Sequence, residues 1–141
     1  MEQLFSFLSF SPGPFWLLIL FLPSNAKAQL AIDGFLFLLT VIYSAIILPE
    51  VNALLPIIAQ PTLDAIQRIF SAPRGTVGAW NHMILADLWI GRWIARDSVS
   101  EKHSFFIRLV FIPITLFFGP LGLLAYWLYR CVSRRQFSLA P

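Results

Sequence analysis

The stretch from Gly78 to Asp97, GAWNHMILADLWIGRWIARD, limits the fold of this chain more than any other segment. It is long and apolar, yet it contains His82, Asp87 and Arg92. Hydrocarbon holds no water to solvate ionisable side chains, so such residues within a membrane span are costly and indicate a functional site. The rest of the chain must then supply the apolar helices that surround this segment.

Composition places the chain among integral membrane proteins. Of its 141 residues, 58% are hydrophobic and 12% are charged, whereas a soluble domain carries about 25% charged residues. The net charge of +3 is not arranged as a nucleic-acid-binding stripe, so no nucleic-acid partner is expected. Arg130, Arg134 and Arg135 cluster near the C-terminus, which predicts an anchor to anionic headgroups on the cytoplasmic side.

A single cysteine and two histidines exclude several classes of metal site. Cys131 alone provides neither a disulfide framework nor an iron–sulfur cluster, and His82 and His103 are too few for a membrane di-iron enzyme. We therefore expect no metal. The sequence leaves one alternative open, a single-metal site formed by His82, Asp87 and Glu50.

Hydropathy predicts an all-α fold, an integral membrane four-helix bundle that forms one domain over residues 1–141. The four spans are expected at about residues 4–22, 30–48, 76–95 and 105–129. A short amphipathic helix at the membrane interface is expected after Pro61, before the third span. Its apolar residues recur at helical spacing, at Leu63, Ile66, Ile69 and Phe70.

Pro113 and Gly119-Pro120 interrupt the last span, which predicts a kink or a local break there. Four spans place both chain ends on one side, and the C-terminal arginines favour the cytoplasmic side.

A secretory signal peptide is the alternative for the first span, because Ala26-Lys27-Ala28 resembles a cleavage site. Glu2, with no basic residue before the apolar run, weighs against it.

Helical geometry separates the polar residues of the third span. His82 and Asp87 point about 140° apart and differ by about 7.5 Å in height, so they are not expected to pair within one helix. His82 shares a stripe with Trp89 and Trp93, whereas Gly91, beside Asp87, permits close approach of another helix. Each polar residue must find its partner on another helix, a headgroup or a ligand.

Structural roles compete with functional roles for these residues. Asp87 could bond hydroxyls or backbone groups of a neighbouring helix and serve packing. Asp33 lies near the start of the second span, where a carboxylate favours the helix N-terminus. Trp89 and Trp93 could form an interfacial aromatic belt or a flat wall against a rigid polyene.

The stretch AWNHMILADLWIGRWIARD resembles the signature of the abscisic-acid-deficient-four, or neoxanthin-synthase-like, family of four-helix membrane proteins. The matching positions are Trp80, His82, Asp87-Leu88, Arg92 and Asp97. The segment LDAIQRIFS is similar to the family's amphipathic segment, and GPLG at residues 119–122 is similar to its last span. The resemblance covers most of the chain.

The resemblance implies a carotenoid-handling membrane protein. Its activity would be a xanthophyll isomerisation, in which an epoxide opens and a proton is removed to form an allene. Such a reaction has no redox change and needs no obligatory cofactor, with carotenoid as substrate or bound pigment. It requires an acid and a base, for which Asp87 and His82 are the candidate catalytic residues. The candidate substrate- or pigment-binding residues are Trp80, Trp89, Arg92 and Trp93.

The resemblance also implies a location and partners. We expect the thylakoid or plasma membrane of a photosynthetic bacterium, or a plastid membrane. The expected partners are membrane lipid and carotenoid, with a homo-oligomer as a further alternative. The alternative function is a non-catalytic accessory subunit of a photosynthetic membrane complex, which packs against pigments or partner helices.

Overall fold

A computed structural model describes residues 1–134 and 137, and within them all regular structure is helical, which confirms the all-α class. Arg135 and the side chain of Arg134, two of the predicted headgroup anchors, lie outside the described part. A 3-10 turn, Leu48–Glu50, joins the third and fourth helices. The α-helices are α1 Glu2–Phe10, α2 Gly13–Phe21, α3 Ala26–Ile47, α4 Val51–Ala59, α5 Leu63–Ser71, α6 Pro73–Ser100, α7 Phe105–Phe118 and α8 Pro120–Arg134.

Helix α6, which contains the predicted third span, lies at the centre and packs against α1, α2, α3, α5, α7 and α8. Asn81 is fully buried on α6, and its Nδ2 donates to the Leu39 carbonyl of α3 at 2.9 Å. Gly91 faces α2 so closely that an added methyl group would overlap the Trp16 ring. The close helix approach expected at Gly91 is therefore observed.

Side-chain caps set the starts of α3 and α5. The Asn25 side chain accepts the Ala28 N–H at 3.0 Å, so α3 begins at Ala26, several residues before the predicted second span. Thr62 accepts the Ala65 N–H at 3.3 Å and starts α5, the predicted amphipathic helix. Both residues accept one of the N–H groups that a helix start leaves without an intrahelical partner.

The predicted fourth span is two antiparallel helices, so the expectation of one span over residues 105–129 is wrong. The break predicted at Gly119-Pro120 is present: Gly119 has φ +43°, which favours glycine, and Pro120 starts α8. Helix α8 then folds back along α7, with the Phe111 and Tyr126 ring centroids 5.4 Å apart. The positive φ of Gly119 takes the chain out of the helical conformation at the reversal, and a glycine adopts it without a steric penalty.

Because α8 folds back along α7, the expectation that both chain ends lie on one side is wrong. Ser9 of α1 accepts a hydrogen bond from Trp80, near the start of α6. Tyr126 of α8 donates to Asp97, near the end of α6. The first helix and the last described helix therefore lead to opposite ends of the bundle, and not to the same end.

Two segments of the described chain are long and apolar enough to cross a membrane, Glu2–Phe21 and Ala26–Ala59. Helix α7 is apolar but has only 14 residues. Helix α6 has 28 residues and is not among the two; Asn81, His82, Asp87 and Arg92 interrupt its apolar run. Length and composition thus support two of the four predicted crossings.

Gly119→Ala is expected to destabilise the protein by about 2 kcal/mol or more. The Gly119 backbone, with φ +43° and ψ −98°, lies in a sparsely populated region that costs a residue with a Cβ roughly 1–3 kcal/mol, and the new methyl group would also overlap the Asp87 carboxyl group. Gly34→Ala is the matched control, because no atom lies within 4 Å of its added Cβ. Thermal unfolding in detergent, followed by circular dichroism, measures both, and equal midpoints for Gly119→Ala and wild type would contradict the expectation.

Candidate functional site

An open groove of about 1040 Å³ lies between the N-terminal half of α3 and the C-terminal half of α6. Three of the four predicted binding residues line it, and the fourth, Trp80, does not. Polar and aromatic side chains meet there, as in many ligand sites. The lining includes Gln29, Asp33, Trp89, Arg92, Trp93 and Arg96.

Arg92 is held at one wall of the groove by two side chains of α3. Its Nε donates to Gln29 Oε1 at 2.7 Å, and its guanidinium pairs with both oxygens of the Asp33 carboxylate. A two-pronged guanidinium–carboxylate pair fixes orientation as well as charge. Arg92 is mostly buried, whereas Asp33 remains 54% exposed and can meet a ligand.

Asp33 therefore has a different role from the one its position suggested. It is the eighth residue of α3, in the third turn, where the favourable effect of a helix N-terminus has already faded. Its partner is Arg92 on another helix. The ion pair between α3 and α6 replaces the helix-terminus explanation.

A second polar cluster is centred on Asp97, which also lines the groove. The Asp97 carboxylate accepts the Tyr126 hydroxyl hydrogen bond at 2.7 Å, and its Oδ2 lies 3.2 Å from Arg130 Nε. Arg130 is only 1% exposed, so the prediction that it anchors to headgroups is wrong. Its guanidinium also lies 5.8 Å from the Trp93 ring centroid, which fixes that wall of the groove.

Trp89 and His82 lie on the outer face of α6, Trp89 at the groove and His82 about two turns before it. Trp89 lies on the groove rim and is 60% exposed. His82 is exposed too, and its ring centroid lies 5.7 Å from that of Tyr43 on α3. The predicted stripe of His82, Trp89 and Trp93 is thus an accessible surface that leads into the groove.

Asp87 and Trp80 lie outside the groove. Asp87 packs against Gly119 at the α7–α8 turn, and within the described residues its carboxylate makes no hydrogen bond or ion pair. Trp80 faces α1: its indole N–H donates to Ser9 Oγ at 3.1 Å, and its ring centroid lies 5.5 Å from that of Phe5. His82 and Asp87 therefore do not form one site, as their separation on the helix predicted.

The single-metal alternative is contradicted by the same placement. Glu50 forms an ion pair with Arg74 at 2.6 Å, away from the Asp87–Gly119 contact. Over the part of the chain that the structure describes, no three His, Cys, Asp or Glu side chains come together as a metal site. His82, Asp87 and Glu50 thus do not converge.

The sequence interpretation missed three residues of the groove, Gln29, Asp33 and Arg96. Gln29 and Asp33 are four residues apart, so they share one face of a helix. Polar residues on a shared face of an apolar helix indicate a polar partner on a neighbouring helix, and Arg92 was the available cation. The shared face of Gln29 and Asp33 was visible in the sequence, but the position of Asp33 was attributed to a favourable effect of the helix N-terminus.

Asp97→Ala is expected to destabilise the protein by about 3–5 kcal/mol, because it removes the carboxylate of a buried ion pair. Asp64→Ala is the control, since Asp64 and Arg68 form an exposed pair one helical turn apart. Such a pair contributes only about 0.3–0.5 kcal/mol. Unfolding midpoints in detergent compare the two variants, and a similar small loss in both would show that the Asp97 cluster is not stabilising.

The family model described as ABA DEFICIENT 4-like matches residues 3–126. Protein ABA DEFICIENT 4, chloroplastic, from Arabidopsis thaliana is 23% identical over 82 residues, which are 55% of this chain and 34% of that protein. The chain thus matches about a third of that relative's length. No solved structure matches.

The family match includes α1 from its second residue, the whole of α2–α7 and all the groove residues named above, and it confirms the resemblance based on residues 78–97. Because the match covers most of the chain, this protein belongs to the ABA DEFICIENT 4-like family.

Proposed function

We propose that this protein is an integral membrane protein that binds a carotenoid, with one end of the pigment in the α3–α6 groove. The observation that carries the proposal is the convergence of Trp89, Arg92 and Trp93 at one groove. A carotenoid is a rigid apolar rod with a ring at each end, and oxygenated rings need polar contacts. The groove combines flat aromatic walls with fixed polar groups.

Exposed apolar side chains support membrane insertion. Large apolar residues that point outward occur on most helices, which a soluble monomer rarely tolerates as a continuous surface. Lipid tails would cover them at no cost. Examples at more than half exposure are Phe10, Leu17, Leu30, Phe37, Phe106, Phe117 and Leu124.

Polar groups at the groove suit an oxygenated ring. Asp33 can accept a hydrogen bond from a ring hydroxyl, because its carboxylate is held by Arg92 and remains half exposed. Arg96 lies in the groove wall, and within the described residues it has no ion pair, so it can donate to a hydroxyl or epoxide oxygen. These two residues would set the position of the ring.

The aromatic stripe suits the polyene. From Trp93 to His82 the helix rises about 16 Å, at 1.5 Å per residue. Trp89 and His82 are exposed along this rise, with Tyr43 beside His82. A polyene that leaves the groove would therefore follow the α3–α6 surface and contact flat rings along its length.

Xanthophyll isomerisation is the activity we propose for this site, on the basis of family membership. Opening an epoxide to an allene needs a proton donor at the epoxide oxygen and a base for the carbon-bound proton. In this proposal Arg96 hydrogen-bonds the epoxide oxygen and stabilises the alkoxide that forms as the C–O bond breaks, Asp33 accepts the carbon-bound proton, and water in the open groove protonates the alkoxide. Asp87, packed against Gly119, is assigned to packing and not to acid catalysis.

A non-catalytic accessory subunit is the second candidate function. The separation of His82 from Asp87 favours it, because the two candidate catalytic residues cannot reach the same substrate atom. In that case the groove holds pigment without converting it. Co-migration with a large pigmented complex in a native gel, without conversion by the isolated protein, would favour this function.

The visible absorption spectrum of gently purified protein tests pigment binding, with extraction to identify the pigment. Wild type is expected to carry about one carotenoid per chain or per oligomer. Trp89→Ala is expected to lose most of it, because Trp89 supplies the exposed groove rim. Trp80→Ala is the matched control, since Trp80 contacts α1 outside the groove. A colourless wild type, or equal pigment in both variants, would contradict the proposed site.

Conversion of an epoxide-bearing xanthophyll to its allene tests the activity. Asp33→Asn is expected to lower the conversion rate at least tenfold, because it removes the proton acceptor. Asp87→Asn is expected to convert at a rate within about twofold of wild type when its folded fraction is matched. Loss of conversion in Asp87→Asn with normal Asp33→Asn would restore Asp87 as the catalytic residue.

A further inference from the structure

We infer that α7 and α8 form a re-entrant hairpin, that the chain crosses the membrane three times, and that its basic end faces the anionic headgroups of the cytoplasmic leaflet. This inference rests on the membrane insertion proposed above and not on pigment binding. It replaces a four-span topology with one whose N- and C-terminal helices lead to opposite sides.

Helix length argues for the hairpin. Helix α7 has 14 residues, so it rises about 21 Å, which is short of a hydrocarbon core of about 30 Å. Helix α8 returns beside it, and Tyr129 Oη lies 3.3 Å from His103 Nδ1 just before α7. The entrance and the exit of the hairpin therefore lie at the same level.

The tip of the hairpin lies deep in the bundle. Gly119 packs against Asp87, which is at the middle of the 28-residue α6. A backbone break at membrane depth survives only where protein covers it, and Gly119 is buried. Phe117 and Phe118, just before the break, are 75% and 66% exposed, as expected for side chains in lipid.

The direction of the other helices gives three crossings. Segment 2–21 runs parallel to α6, because Ser9 meets Trp80 and Trp16 meets Gly91. Helix α3 runs antiparallel to α6, because Leu39 meets Asn81 and Gln29 meets Arg92. With the hairpin returning, each of these three elements crosses once.

This arrangement gathers the basic residues at one end. In the described part, the end where α3 begins and α6 finishes has seven basic and three acidic residues. The opposite end has two basic and three acidic residues. The basic residues at the first end are Lys27, Arg92, Arg96, Lys102, Arg108, Arg130 and Arg134, and its acidic residues are Asp33, Asp97 and Glu101. At the opposite end the basic residues are Arg68 and Arg74, and the acidic residues are Glu2, Glu50 and Asp64.

Such asymmetry predicts orientation, since basic residues near span ends remain on the cytoplasmic side. Lys27 and Lys102 are exposed at this end, and within the described residues neither forms an ion pair. Leu30 and Phe106 are exposed close by in sequence, at 73% and 71%. Cations bordering an apolar surface fit anionic lipid headgroups above hydrocarbon.

Single-cysteine labelling tests the topology in the full chain, expressed in a bacterial cytoplasmic membrane. Cys131→Ser provides the background, and Gln60→Cys, Ser100→Cys and Val132→Cys report three positions. A membrane-impermeant maleimide is applied to intact spheroplasts and to inverted vesicles. We expect Ser100→Cys and Val132→Cys to label at least tenfold more in inverted vesicles, and Gln60→Cys at least tenfold more in spheroplasts.

Other labelling patterns would contradict individual parts of the proposed topology. Labelling of Val132→Cys from the side opposite to Ser100→Cys would overturn the hairpin. Labelling of both from outside would overturn the orientation. Release of the protein by alkaline extraction would overturn membrane insertion, whereas a colourless but inserted protein would count against carotenoid binding alone.

Charge reversal tests the contact with anionic headgroups. Lys27→Glu with Lys102→Glu, in the Val132→Cys reporter, is expected to raise labelling in spheroplasts at least fivefold, because part of the protein inverts. Arg68→Glu, at the opposite end, is the control and is expected to leave labelling unchanged. An unchanged orientation in the double variant would overturn the role assigned to the basic end.

Discussion

The contact between Asp87 and Gly119 is the constraint on which the two halves of the molecule depend. A chain that turns back within a bundle exposes backbone groups at the turn, and these must be covered by protein. Helix α6 supplies that cover at its midpoint, where Asp87 packs against the only described glycine with a positive φ. This contact holds the tip of the α7–α8 hairpin against α6, while the contacts of Tyr126 and Arg130 with Asp97 set the end to which α8 leads.

Two polar clusters then organise the end of α6 beyond Asp87. Arg92 reaches across to Asp33 and Gln29 on α3, while Asp97 reaches to Tyr126 and Arg130 on α8. Both clusters contribute to the groove wall, and Tyr126 and Arg130 hold Asp97 from the side away from the groove. Charges are thus used in pairs between helices, which is how an apolar bundle can retain them. A ligand would meet a rigid wall here.

Local patterns predicted helix type well and helix direction poorly. The amphipathic spacing after Pro61 and the apolar runs identified α3 and α5, because those signals depend only on neighbouring residues. Gly119-Pro120 predicted a break, but no local signal states whether a chain continues or reverses after it. That outcome depends on contacts with α6, which are distant in sequence.

Sequence patterns were limited in the same way for the groove: they predicted features within one helix but not contacts between helices. Helical geometry correctly separated His82 from Asp87 and grouped Trp89 with Trp93, since both facts concern one helix. It could not pair Arg92 with Asp33, which lie 59 residues apart. It also treated Arg130 as a surface residue, because a basic C-terminal cluster gives no indication that one member is buried against Asp97.

The reversal at Gly119 has a consequence for how the protein is made. A single helix that crosses a bilayer can enter it alone, because its backbone bonds are satisfied within the segment. The α7–α8 hairpin cannot, since its turn needs α6 already in place to cover it. In the three-crossing topology inferred above, biogenesis therefore proceeds in two stages, insertion of the crossing helices followed by docking of the hairpin against α6.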